Sequence, residues 1–387
     1  MTTRVCVLLS LVVVAAALLL GSCGHYVCNE GATFGASTCS GSGGGIGTGG
    51  GGTAAAFAFM EDQGTIYGAS LDTAGTFALI PNFASPPQTL SGIGGMVIVQ
   101  KKWLYVALTG SLQVQAYSIN GTTGALTAIS SSPYSSSDST AITADPAGKF
   151  LFLCGQDNDH VSVFSINQTD GSLTLVGTGA SAGLGFAVNS STDGLGQYLY
   201  VTQGNLGSEV AVFKINSDGS LTAVGLLSIA IAQLRGEPTG KFMLGITGNG
   251  ANNGFTADNN VYVFPINSDG TLGTATLFAT KNTPASFAVH PSGKLVYTFN
   301  GTVTGATAVE GFTLDNTGKL TELSGSPFTS MTANAGLIDD SGAYLFLHPG
   351  TSVSVQGINT TTGALTAIGQ PISGIGGTAG WAVTDPH

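Results

Sequence analysis

The chain has 387 residues; 43% are hydrophobic, only 8% are charged, 59 are glycine, and the formal net charge is −11. Ordinary soluble domains carry roughly 25% charged residues and about 7% Gly, so this chain is unusual in both respects, and its apolar content excludes a charge-driven disordered protein. With only 10 Lys and Arg against 21 Asp and Glu, it lacks the clustered cations that a nucleic-acid partner demands.

The first element is an address. Met1–Arg4 carries one positive charge and Val5–Leu20 is apolar apart from Ser10. Sixteen residues rise about 24 Å as a helix, short of the roughly 30 Å hydrocarbon core, so the segment reads as a signal peptide rather than a retained span. It closes on Leu20-Gly21-Ser22-Cys23, which resembles the bacterial lipobox. That resemblance implies lipidation of Cys23 after removal of residues 1–22, and a protein held on the cell envelope by acyl chains. Gly24 follows the Cys, where an Asp would signal inner-membrane retention, so the outer membrane or cell surface is the expected location, with the periplasmic side as alternative.

Residues 23–53 read as a tether. Gly41–Gly52 runs GSGGGIGTGGGG, too Gly-rich to fix a backbone, with an r.m.s. reach of about 30 Å for the whole linker. Cys28 and Cys39 lie in it and are able to bond in an oxidising compartment, while Cys154 sits in an apolar strand and reads as a buried thiol. No Cys/His metal spacing occurs, and no metal or cofactor is expected.

From residue 54 onward one phrase recurs: strand, Ile-Asn, turn, Gly-x-Leu-Thr. The anchors are Asp72, Asn120, Asn167, Asn216, Asn267, Asp315 and Asn359, at gaps of 48, 47, 49, 51, 48 and 44 residues. A second phrase, a turn followed by an apolar strand, precedes most copies: DPAGKFLFL at 145, EPTGKFMLGI at 237, HPSGKLVYTF at 290 and DSGAYLFL at 340. An apolar strand lies before each of these, so each unit holds four short strands, a to d. Seven such units predict an all-β, seven-bladed β-propeller over residues 54–387. The first unit opens directly on a b-type strand, Ala54–Phe59, and the last residues, Gly380–Pro386, match an a-type strand and its turn. The C-terminal strand is therefore expected to complete the first blade and close the wheel, leaving a monomer with protected edges.

The combination of HPSGK turn, b strand and VxVFxINxDGxLT resembles the lactonase-type, 6-phosphogluconolactonase-like propellers over about residues 54–387. Active members carry Pro-Arg-His at the start of an inner strand and a Glu at the end of the following b strand. Here the corresponding residues are Pro284-Ala285-Ser286 and Asn300, with Gln156 and Gln203 at the equivalent strand ends of other blades. Neutral amides do no proton transfer, so the expectation is a binding or scaffold protein without a catalytic residue. Lactonase action on a sugar lactone is the alternative, with His348 and His160 as its weak catalytic candidates.

The loops that vary in length, b to c and d to the next a, share one face of the disc. There Asp157, Asp159 and His160 offer oxygen and imidazole groups for a sugar or a calcium ion, or form a plain solvated loop. Arg235 falls on an inner strand near the axis, where it would hold an anionic ligand, or pair with Glu237. His290 falls in an a–b turn and reads as a turn cap. Phe164, Phe213 and Phe264 recur once per blade and read as packing between blades. Arg235, Asp157, Asp159 and His160 are thus the expected ligand-binding residues, for a glycan, a small anion or a protein partner. The Trp repeats of quinoprotein wheels, the Asp boxes of sialidases and the Trp-Asp signature of WD40 units are absent.

Overall fold

The computed structural model describes residues 52–81, 83, 90, 92–137, 139–155, 160–178, 186–204, 209–248, 256–300, 309–328, 331, 333–375 and 380–387. The expected lipidation site Cys23, the tether, and Asp157 and Asp159 lie outside them. The described residues form seven antiparallel sheets, each built on four strands, and contain no helix long and apolar enough to cross a membrane. Each inner strand contacts the inner strand of the next sheet, and the seventh contacts the first. The architecture is the seven-bladed β-propeller that the spacing predicts.

Burial explains why the four strands read so differently in sequence. A b strand has a neighbouring strand on each side and a neighbouring blade on each face. Trp103–Leu108 is buried at all six positions and Leu295–Phe299 at all five, hence their unbroken apolar runs. The outermost strands meet solvent, and Leu221–Ser228 is mostly exposed. Phe164, Phe213 and Phe264 are buried between blades as expected, packed with Tyr105, Phe152 and Tyr200 of the preceding blade. Cys154 is a fully buried thiol.

Closure occurs as the two chain ends predict. Trp381–Thr384 pairs antiparallel with Ala54–Asp62, with Phe57 opposite Thr384 and Met60 opposite Trp381. Below that pairing Lys101 of blade 2 reaches Asp385 at 2.6 Å, and Thr384 donates to Asp340 of blade 7 at 2.7 Å. Phe77 of blade 1 meets Phe346 of blade 7 edge-on at 5.7 Å. One element differs from expectation. Between the outer strand of blade 2 and the next inner strand, where four strands per unit leave a loop, stands a fifth strand, Tyr134–Ser135, paired with Gln113–Ile119. The chain turns at Ser132-Pro133, where the Ser132 hydroxyl accepts the Ala116 N–H, and this carries Tyr134 back along the blade.

The two repeated phrases are two kinds of turn. In the c–d turns a glycine with positive φ follows each anchor, as at Gly270 (φ 85°) after Asn267. A side chain there would meet the Tyr198 ring of the preceding blade at 2.2 Å, so the glycine serves both the turn and the joint. Tyr105, Tyr200 and Tyr297 then donate their hydroxyls to the carbonyls of Gly171, Gly270 and Gly363, each at 2.8 Å. In the a–b turns a buried acceptor gathers backbone N–H groups: Asp145 and Asp193 each take three, and Asp339 binds Tyr344 and Ser341. Burial raises the Asp339 carboxyl above its ordinary value, against those hydrogen bonds. His290 takes this place in blade 6. It accepts the Ser292 N–H at Nδ1 and meets the Gly342 carbonyl at Nε2, 2.9 Å away, which makes it the turn cap expected.

Candidate functional site

The inner strands descend from the loop face to the a–b turns around an axial cavity of about 420 Å³. Its wall is made by blades 1, 2, 3, 4 and 7 and by Arg235 of blade 5. Small or absent side chains at Gly94, Gly95 and Gly380 widen it. Met96, Ile142, Leu337 and Trp381 give it apolar surface, and Thr143, Asn189, Ser190 and Ser191 give it polar surface. The volume lies in the range of small-molecule sites. Among the described residues Arg235 is the one ionisable side chain on this wall.

Arg235 belongs to the inner strand Gln233–Gly236 and leans sideways across the inner strand of blade 6. Its Nε donates to the Phe287 carbonyl at 3.0 Å, and its guanidinium stands 5.9 Å from the Phe287 ring. These two contacts hold the side chain in place without neutralising it. The expected pairing with Glu237 does not form. That carboxylate turns the other way, into its own a–b turn, accepting the N–H groups of Thr239, Lys241 and Phe242 and the Thr239 hydroxyl. The ion pairs among the described residues are Lys101–Asp385 and Lys281–Glu322, and Arg235 is in neither. The side chain is half-buried, and burial pushes its pKa below the ordinary arginine value. A charge partly withdrawn from water without a counter-ion is costly, and an anion in the cavity would offset that cost. The buried Ser190 hydroxyl on the inner strand of blade 4 has no hydrogen-bond partner.

The other candidates lie apart from one another. His348 ends the b strand Tyr344–His348 of blade 7, on the loop side, but it is buried, with 3% of its surface exposed. It faces the seam with blade 1, its ring 5.8 Å from that of Trp381, and its Nε2 has no partner. Burial lowers its pKa, partly offset by hydrogen bonding with the Ile375 backbone, so the ring is neutral at pH 7. His160 stands exposed before the c strand of blade 3. Among the described residues no three His, Cys, Asp or Glu side chains assemble as a metal site.

At the top of blade 6, Ser286 opens the inner strand Ser286–Val289 and Asn300 follows the b strand. Sequence reasoning passed over a third group there. Glu310, on the c strand Val309–Leu314 and 1% exposed, accepts the N–H groups of Lys281 and Asn282 and the Asn300 amide. It fastens the incoming d–a loop to the blade. The available signal was a lone acid in an apolar c strand, where the other blades carry neutral residues.

Fold and channel together define a closed seven-bladed wheel with a single cation, among the described residues, on the wall of its axial cavity. The chain belongs to the lactonase family of seven-bladed β-propellers, whose model matches residues 52–190 and 189–333. Among curated proteins no sequence matches it. Among solved structures it is similar to a candidate 6-phosphogluconolactonase of Bacteroides fragilis, with a TM-score of 0.64 and 17% identity over 85% of this chain and 98% of that one. A second such protein, from Bacteroides uniformis, gives 0.64 and 18% over 85% and 99%. The periplasmic gluconolactonase of Pseudomonas aeruginosa gives 0.63 and 14% over 87% and 100%. At these identities the likeness is one of fold.

Proposed function

We propose that this lactonase-family propeller is an envelope-anchored binding protein, tethered through lipidated Cys23, that takes its ligand at the channel and loop face without catalysing its hydrolysis. The observation that carries this reading is the chemistry of the channel wall: among the described residues it offers one fixed cation, hydroxyls and an amide, and no group able to accept a proton at neutral pH. Opening a lactone calls for a positioned base as well as stabilisation of the oxyanion. At the top of blade 6, Ala285, Ser286 and Asn300 supply no base, and Glu310 is committed to the loop above it.

The second reading is hydrolysis of a sugar lactone, the activity in the names of the Pseudomonas and Bacteroides proteins. It is favoured by the unpartnered, buried Nε2 of His348, a neutral imidazole beside the channel residue Trp381. One experiment separates the two. The full-length protein in detergent is assayed against glucono-1,5-lactone, with spontaneous hydrolysis subtracted. The binding reading expects no turnover. Turnover that His348→Ala abolishes would establish the second reading instead. For the anchor, Cys23→Ser is expected to move the protein from the membrane fraction to the soluble one.

A further inference from the structure

We infer that the wheel carries a second binding site, away from the channel: a cavity on its turn face, between blades 5, 6 and 7, that takes a phosphate monoester on a small apolar body, with Lys241 and Lys294 as its cations.

Four turns enclose about 430 Å³ there, the a–b turns of blades 5 and 6 and the c–d turns of blades 6 and 7. The volume suits a small molecule. At the corresponding corner between blades 2 and 3, side chains fill the gap. The Gln100 amide donates to the Ala147 carbonyl at 3.0 Å and to Gln168 at 2.6 Å, and Gln168 donates to the Gly148 carbonyl at 2.8 Å. In blade 6 the shorter Asn316 takes the place of Gln168. In blade 5 the Thr239 hydroxyl turns back to Glu237 at 2.6 Å. Neither spans the gap, and the cavity remains.

Its charges are unevenly engaged. Lys241 and Lys294 are exposed on its rim, and the ion pairs among the described residues include neither. Both acids of the wall serve their own turns. Glu237 accepts the N–H groups of Thr239, Lys241 and Phe242, and Asp315 accepts those of Thr317 and Lys319 and the Thr317 hydroxyl. Two unpaired ammonium groups match the nearly double negative charge of a phosphate monoester at neutral pH, and lysine serves phosphate well as a point charge. Asn316 and Thr360 add donors on the wall. The floor is apolar, with Phe242 half-buried and Leu295 and Leu314 buried, so a ligand whose body covers it gains over bare phosphate.

Lysine footprinting tests this on the full-length protein in detergent: brief acetylation with acetic anhydride, with and without phenyl phosphate, read by peptide mass spectrometry. Phenyl phosphate is expected to slow acetylation of Lys241 and Lys294 several-fold, and phenol is not. Lys149, at the filled corner of blade 3, is the internal control and is expected to react unchanged. Inorganic phosphate is expected to need roughly tenfold higher concentration for the same protection, because it leaves the floor uncovered. Lys241→Gln is expected to shift the protection of Lys294 to roughly tenfold higher phenyl phosphate. Vesicles of phosphatidate in phosphatidylcholine distinguish the sources: protection by them as well marks a lipid headgroup, and protection by phenyl phosphate alone marks a soluble ester. The inference is overturned if neither lysine is protected, if Lys149 is protected equally, if phenol or inorganic phosphate matches phenyl phosphate, or if Lys294 is protected in Lys241→Gln as in the native chain.

Discussion

The c–d turn glycines are load points between blades, and Gly270→Ala isolates one of them. Three effects converge there. The residue has φ 85°, and a left-handed conformation costs a non-glycine residue about 1–2 kcal/mol. The new Cβ would stand 2.2 Å from two carbons of the Tyr198 ring, which must move. Any shift of the turn also strains the 2.8 Å bond from the Tyr200 hydroxyl to the Gly270 carbonyl, worth about 1 kcal/mol. Together these give about 3 kcal/mol. An unfolding entropy of about 2.1 cal/mol/K per residue over roughly 330 residues makes that about 4 °C of melting temperature. Gly225→Ala is the matched control, with the same change in the unfolded chain. Gly225 has no neighbour within 4 Å of a new Cβ and no positive φ, so its shift is expected within about 1 °C. Scanning calorimetry of the two variants decides the matter, and equal melting temperatures would refute the joint.

Two further outcomes follow from the seam. Ending the chain at Gly380 removes the strand that covers Phe57–Met60; the bared edge is expected to broaden the melting transition and drive self-association, measured by calorimetry and light scattering. A sharp native transition and a monomeric product would contradict closure. His348 gives a pH dependence with a definite sign. Its folded pKa lies below the ordinary 6.5, so its contribution to stability is full above 6.5 and is lost as pH falls toward the folded value, with a slope of at most about 1.4 kcal/mol per pH unit. Urea midpoints on either side of that window should converge in His348→Gln relative to the native chain, and an unchanged pH dependence would count against the burial argument.

The wheel was legible because its constraints are local and repeated. An Asn or Asp followed three or four residues later by a positive-φ Gly marks every c–d hairpin, and the unmatched strands at Ala54 and Trp381 announce closure. The site was legible only in outline. The place of Arg235 on an inner strand follows from register, but its lack of a counter-ion depends on which way Glu237 turns. That is decided by three N–H groups brought together in the folded turn. His348 reads as a loop-side residue, yet blade 1 buries it, and blade 1 is completed by a strand more than thirty positions later. Glu310 escaped for a similar reason: its partners Lys281 and Asn282 enter from the preceding loop, and no short-range pattern pairs them.

Around the wheel, each joint points the same way. Phe57, Trp103, Phe150, Tyr198 and Phe242 each press against the turn glycine of the following blade, and Leu295 and Leu323 do so at the sixth joint. At the seventh, where blade 7 meets blade 1, the glycine Gly75 meets only the branched tip of Ile368. The slimmest joint therefore flanks the one blade whose inner strand, Trp381–Thr384, is held to the next strand by hydrogen bonds and no peptide link. Thermal breathing should begin there, as a gap opening beside Trp381. A permuted gene that fused the two termini and cut another blade would move the break away from that joint, and show whether the break or the slim contact lets the circle part.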